Sequence, residues 1–366
     1  MTTIADWIRY LDAFAPLYLA ASWDNVGLLL GERQRPCDRV LTCLTVTPEV
    51  VAEAVAGSAA MIVSHHPIFF KGVKNLSDTT AEGRLVLPLL RAGIAVYSPH
   101  TAFDNCVGGI NDGLAHRFGL QNIRPLRPAD APAECKLVAF MQEADIVRVS
   151  EAVFAAGGGV IGGYEQCSFR TPGTGTFFGS AGTNPVVGER GRREVATEFR
   201  LEIVVPESKI PAAIAALRSA HSYEEPAFDV YPLKPRRGGG SGRIGELSTP
   251  MILSEFAALV KRSCAANFAQ FVGDTAKPVR IVALACGAAG EYLADAIRMR
   301  ADVFLTGEAR FHDLLTAEAA GIGLVLPGHY ASERPAVGDL ATRLQAAFPE
   351  AVVWASRAER DPLTTV

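Results

Sequence analysis

The sequence predicts an α/β protein with a mostly parallel sheet built in two halves, and a smaller inserted ferredoxin-like α+β domain between those halves. Three observations carry that prediction. From Val40 onward, short continuous Val/Ile/Leu runs alternate with helical patterns; the same grammar returns from Val279; and the stretch between them, 128–240, follows a different order of elements. Runs that are apolar at every position indicate strands buried on both faces, as parallel sheets are, because their crossover helices cover them.

In the first half the order is VLTCLTV (40–46) as strand, PEVVAEAVAG (48–57) as helix, and AAMIVSHHPIFF (59–70) as strand. GRLVLPLLRAG (83–93) then reads as helix, IAVYSPHTAFD (94–104) as strand and GGINDGLAHRFG (108–119) as helix. Gly57, Gly93 and Gly119 close the three helices, as glycine does where the chain must turn left-handed. The second half repeats the pattern: VRIVALACG (279–287), AAGEYLADAIRMR (288–300), ADVFLTGE (301–308), ARFHDLLTAEAAG (309–321), IGLVLPGHY (322–330), a final helix through GDLATRLQAAF (338–348), and AVVWAS (351–356). One open sheet could hold both halves.

The middle reads as β-α-β-β-α-β. CKLVAFMQ (135–142) is a strand, IVRVSEAVFAAGGG (146–159) a helix and GTFFGSAGTNPVVGERG (175–191) a turn-rich hairpin; TEFRLEIVVP (197–206), SKIPAAIAALRSAH (208–221) and AFDVYPL (227–233) complete it. The expected domains are 1–127 with 241–366, and 128–240. PRRGGGSGR (235–243) is read as a Gly-rich hinge at the exit.

Composition excludes several function classes. The chain has 366 residues, 49% hydrophobic and 20% charged, which is enough for a large core. A net charge of −4 leaves no basic excess for phosphates, so direct nucleic-acid binding is not expected. Asp6, Arg9 and Asp12 interrupt the first segment, so it lacks a leader's apolar stretch, and no run is long enough for a membrane span. Seven cysteines, odd in number and never spaced CxxC, suit reduced thiols in a cytoplasmic protein and receive no role.

The chemistry-bearing residues cluster where strands end, the place at which α/β sheets present ligands. His65 and His66 follow the strand MIV and precede Pro67. Neighbours on a regular strand point to opposite faces, so the pair serves two adjacent metals, or one metal if the strand breaks, or is incidental. Asp104 ends the next such cluster, SPHTAFD; it is either a hard oxygen ligand or a helix N-cap. His329 and Glu333, in PGHYASERP, face each other if helical, although Pro335 disfavours helix at Arg334 and Glu333 could instead serve a helix dipole.

Taken together, three histidines and two carboxylates suit two divalent metal ions sharing a carboxylate and activating a water between them. Zn, Mn, Fe, Co and Ni all accept such ligands. His100, beside the set, is the candidate for proton transfer, since imidazole titrates near working pH. His116, His221 and His312 are read as structural.

SWDNVGLLLG (22–31), SHHPIFF (64–70), HTAFDN (100–105), TGEARFHD (306–313) and GHYASERPAV (328–337) strongly resemble the Nif-three-like family, often labelled "GTP cyclohydrolase I type 2 homolog". The resemblance covers nearly the whole chain. GGGVIGGYEQCSFRTPGTGTF (157–177) and SYEEPAFDVYPL (222–233) resemble the PII/CutA-like insert of its long-form members. The resemblance implies His65 and His329 on one metal, His66 and Asp104 on the other, and Glu333 bridging them. It also implies a toroidal homohexamer. Two positions depart from the family pattern: Ala102 where Asn is frequent, and Cys286-Gly287-Ala288-Ala289-Gly290-Glu291 where a Gly/Ser-rich turn is usual. Glu291 there would repel an anion.

Two functions are expected on this basis. The first is a metal-dependent hydrolase acting on a small molecule, a nucleotide or phosphoester. The second is a metal-containing regulatory or scaffold protein whose insert binds a small ligand or partner protein.

Overall fold

The computed structural model describes residues 2–234 and 237–364 and separates into two compact units. One takes the chain up to Ala129 and again from Gly238; the other is Asp130–Arg237.

The first unit is built on two sheets. Its N-terminal strands are β1 (Gly27–Leu30), β2 (Arg39–Cys43), β3 (Met61–Ser64), β4 (Ala95–Ser98) and β5 (Leu120–Asp130). After the second unit's β6 (Glu134–Met141), β7 (Phe169–Phe178), β8 (Arg193–Pro206) and β9 (Phe228–Pro232) come β10 (Arg237–Ile252), β11 (Gln270–Val272), β12 (Pro278–Ala285), β13 (Val303–Thr306), β14 (Gly323–Leu326) and β15 (Val352–Ala355). The five-stranded sheet runs β1-β4-β3-β2-β15 and the six-stranded sheet β11-β14-β13-β12-β10-β5. Each has a parallel centre and an antiparallel flank: β4, β3, β2 and β15 are parallel with β1 antiparallel, while β12, β13 and β14 are parallel with β10 and β11 antiparallel.

The single open sheet is therefore corrected to two, and the buried side chains show why. Alternate residues of every central strand enter one shared core: Val40, Met61, Val63 and Tyr97 from one sheet, Val282, Leu284, Val303, Leu305 and Val325 from the other. Intervening residues pack outward under helices, Leu41, Ile62 and Val96 on one side and Ala283, Phe304 and Leu324 on the other. Strands buried on both faces look alike in sequence whether they lie in one sheet or two.

Three local expectations also change. HTAFDN is a short helix, His100–Asn105, so β4 ends at Ser98. The last helix starts at His329 and runs to Ala347 with Pro335 inside it. Proline there removes one backbone bond, but a buried face comprising Ala336, Val337, Leu340, Ala341 and Leu344 holds the helix together. The expected hinge at 235–243 falls partly outside the described residues, at 235 and 236; from Arg237 the chain is strand β10. Its glycines serve close approach: a Cβ on Gly240 (φ +149°) would stand 2.3 Å from the Arg127 carbonyl oxygen.

The second unit orders its strands β7-β8-β6-β9, all antiparallel, with helices Ile146–Ala155 and Ile210–Ala220 in the β-α-β-β-α-β sequence. Its core joins Leu137, Val149, Val153, Leu201, Ile203 and Leu217. Among the described residues no helix is long and apolar enough to cross a membrane. All seven cysteines are free.

Candidate metal centre

The centre lies in the first unit, where both sheets present the ends of parallel strands. Beyond β3 the chain keeps pairing for two residues: the His65 and His66 amides donate to the Cys43 and Leu44 carbonyls at 2.9 and 2.8 Å. The two rings then diverge, with centroids 5.0 Å apart. Asp104 sits in the closing turn of helix His100–Asn105, while the next helix is capped by Gly109, so the N-cap reading of Asp104 is excluded. Gly328, at φ +99°, turns the chain from β14 into the last helix, which places His329 and Glu333 one turn apart on one face.

These five side chains meet. Glu333, 3% exposed, directs Oε2 at His66 Nε2 (3.1 Å) and His329 Nε2 (3.2 Å), and Oε1 toward His65 Nε2 (3.8 Å). Asp104 Oδ1 lies 3.6 Å from His65 Nε2. Contacts therefore run from His65 to Asp104 and from His66 to His329 by way of Glu333, whereas the resemblance pairs His65 with His329 and His66 with Asp104. Ligand atoms of His66, His329 and Glu333 all lie within 4.8 Å of one another, as do those of His65, His66 and His100.

The donor set fits a metal. Two ligand atoms, each roughly 2.1 Å from one tetrahedral ion, stand about 3.4 Å apart, and the four contacts above scatter around that value. More telling, both ring nitrogens of His65 are buried without a hydrogen-bond partner. The carboxylate oxygens nearest Nε2 are too far for a hydrogen bond, yet burying an unsatisfied polar atom is costly. An ion between them would satisfy Nε2.

The charges agree. Burial alone would raise the Glu333 carboxyl, but the imidazoles around it hold it well below the usual carboxylate range. Burial likewise opposes the charge on His329, yet Glu333 and Glu308 raise it to about 9. His65 is also raised, against its burial, by Asp104 and Glu333. Burial lowers His66 and raises Asp104. The two raised imidazoles, His65 and His329, are the ones the buried carboxylates draw toward the charged form.

Supporting contacts were less visible in the sequence. Thr45 Oγ1 lies 2.7 Å from His66 Nδ1, and Glu308 Oε1 2.8 Å from His329 Nδ1, each orienting a ring by its far nitrogen. Glu308 belongs to the TGE cluster. The side chain of Asp24, of SWDN, is shielded from solvent although the residue as a whole is half-buried; it receives His100 Nδ1 at 2.7 Å and the Thr101 amide and hydroxyl. Burial opposes its charge, but His100 and Thr101 lower it to about 2, so it is ionised at working pH. The anion holds the proton on Nδ1, and the His100 ring stands 5.0 Å from that of His65 and 5.6 Å from that of His66, centroid to centroid. His100 itself has φ +30°, a strained value for a non-glycine residue that these contacts maintain. Gly287 is required: a Cβ there would stand 2.3 Å from Glu333 Oε1.

The remaining histidines lie elsewhere. His116 and His312 are exposed on helices, and His221 is satisfied by the Phe140 carbonyl and the Tyr223 amide. Beside His66 and His329 opens a cavity of about 450 Å³, lined also by Thr45, Phe268, Gln270 and Tyr330.

The sequence model of the DUF34/NIF3 (NGG1p interacting factor 3) family matches residues 2–362. A Halalkalibacterium halodurans protein named "GTP cyclohydrolase 1 type 2 homolog" is 38% identical over 323 residues, covering 88% of this chain and 87% of that one. Among solved structures, a Bacillus cereus protein related to NIF3 superposes with a TM-score of 0.77 at 35% identity, covering 100% of this chain and 99% of the other. A Staphylococcus aureus protein matches with the same TM-score and coverage at 28% identity.

Proposed function

The chain belongs to the DUF34/NIF3 family, and on that premise we propose that it holds two divalent metal ions through His65, His66, Asp104, His329 and Glu333 and is a metal-dependent hydrolase. One observation carries the reading: a buried carboxylate, Glu333, turns its two oxygens toward three imidazoles, one of which has no hydrogen-bond partner at either nitrogen. Such a carboxylate suits a bridge between two cations whose repulsion it offsets.

Ions bound there would supply Lewis-acid chemistry, polarising a substrate oxygen and making a nearby water acidic. The chain's own residues do the rest. Thr45 and Glu308 fix the orientation of His66 and His329. His100, whose Nδ1 proton is held by Asp24, presents Nε2 as the group that takes a proton from the attacking water and returns it to the leaving group. The cavity beside His66 and His329 admits a small substrate, and the relatives' name suggests a nucleotide. The test is metal analysis of the purified protein, then a hydrolase panel of nucleotides and phosphoesters with the matching ion. Metal-dependent turnover supports the reading, and its absence across the panel weighs against it.

A second reading has an observation of its own. The second unit carries a concavity of about 590 Å³ lined by Phe140, Phe177, Phe178, Tyr223, Glu198 and Arg200. Together with the β-α-β-β-α-β order, it supports a PII/CutA-like insert that binds a small ligand or partner protein and makes the whole a regulator. That function would survive chelation, which separates it from catalysis. The expected homohexamer belongs to either reading; light scattering near the 38.9 kDa monomer mass would contradict it.

A further inference from the structure

Cys286 Sγ lies 3.2 Å from Asp104 Oδ1. That same oxygen is the one 3.6 Å from His65 Nε2, and His65, 2% exposed, has both ring nitrogens without a hydrogen-bond partner. The thiol therefore touches the oxygen that the unpartnered imidazole faces. The two residues come from different sheets: Cys286 directly follows β12, and Asp104 lies in the short helix after β4.

A second connection links the same pair. Asn111 Nδ2 donates to the Asp104 carbonyl at 3.0 Å, while Asn111 Oδ1 accepts the Cys286 amide at 2.9 Å. Asp104 is thus tied by its backbone, through Asn111, and by its carboxylate, through sulfur, to the turn that also packs Gly287 against Glu333. An aspartate without such a donor could rotate its carboxylate away from His65, since its terminal torsion is broad. The thiol is the donor that the structure places on that oxygen.

We propose that Cys286 is a positioning residue of the metal centre: its S–H donates to Asp104 Oδ1 and holds that oxygen toward His65, so that retention of the ion bound by Asp104 depends on residue 286. The inference rests on the five-ligand reading. A serine would preserve the donor; an alanine would remove it.

Cobalt(II) titration of the whole chain, followed by visible absorption, tests this on wild type, Cys286→Ser and Cys286→Ala, with thermal unfolding in chelator checking that each is folded. Wild type takes up two ions. Cys286→Ala holds one of them about 10–100-fold more weakly, the usual cost of losing a group that orients a ligand, and leaves the other unchanged. Cys286→Ser restores most of the affinity, which a packing role would not predict. Equal affinity in wild type and Cys286→Ala overturns the inference while leaving the five ligands standing, as does equal loss in the alanine and serine variants. A sulfur-to-cobalt charge-transfer band present in wild type and absent from Cys286→Ser overturns it too, since sulfur would then be a ligand. Should wild type bind no cobalt, the five-ligand reading fails first, independently of residue 286.

Discussion

Glu333 Oε2 and His66 Nε2 lie 3.1 Å apart although 267 positions separate the two residues. One follows a strand of the five-stranded sheet and the other sits on the helix leaving the six-stranded sheet, so the contact closes a single site from both halves. Ions held there would cross-link the two sheets, and binding would couple to stability.

That coupling has a pH signature. His329 is raised from 6.5 to about 9, so its contribution to the stability of the metal-free protein is complete below 6.5 and lost as pH climbs through about 9. In chelator, the unfolding midpoint should fall across that interval. Zinc affinity should rise over the same interval, because the proton on His329 must leave before a cation can bind. Calorimetry at four or five pH values checks both, and a flat chelator profile between 6.5 and 9 would contradict the assigned charge on His329.

Asp24→Asn should leave both ions in place and change His100. With the carboxylate gone, the proton is no longer confined to Nδ1, and nitrogen chemical shifts of the ring should move from one tautomer to a mixture. Asp24 also accepts from the half-buried Thr101 and Asn25 amides, so Asp24→Ala should cost about 1 kcal/mol for each donor left unsatisfied. An unaltered His100 spectrum in Asp24→Asn would remove Asp24 from the account.

Much of this was legible in advance, for a physical reason. Strand-end histidines and carboxylates stand out against Val/Ile/Leu runs, so His65, His66, Asp104, His329 and Glu333 could be picked from the sequence, and the structure brings them together. What could not be read was any relation set by packing. A doubly buried strand such as FLT (304–306) gives no sign of which sheet it joins. Pro335 argues locally against a helix that burial nevertheless sustains from His329. Asp24 lies 76 positions from His100 and has no neighbouring ligand in the sequence to flag it. The glycines of 238–242 suggested a hinge because close backbone packing and flexibility call for the same residue.

Arg243, 2% exposed, is the structural counterpart of the site. Its guanidinium pairs with Asp112 and donates to the carbonyls of Gly240, Gly242 and Cys106, fixing the segment just after Asp104. Arg243→Met leaves the buried Asp112 carboxyl with the Gly108 amide but without its ion-pair partner, and should destabilise the protein by about 3–5 kcal/mol. Urea unfolding measures it; a loss below about 1 kcal/mol, the range of an exposed pair, would contradict the burial argument.

Excision of 130–237 should be tolerated. Arg127 and Gly240 are in direct contact, and β5 neighbours β10 in the six-stranded sheet, so a short Gly/Ser linker can rejoin the chain there. The shortened protein should unfold cooperatively and keep its metal. Loss of both would show that the first unit requires the second to fold.

The central claim is that Glu333 bridges two ions, and the most direct measurement is metal stoichiometry by plasma emission on purified wild type, Glu333→Gln and His312→Ala. Glutamine keeps the shape but removes the charge that offsets repulsion between the ions, so Glu333→Gln should lose at least one of them. His312, exposed on a helix away from the cluster, should be dispensable, and His312→Ala should keep the full complement. Equal metal content in Glu333→Gln and wild type would contradict the account and require the five-ligand centre to be abandoned.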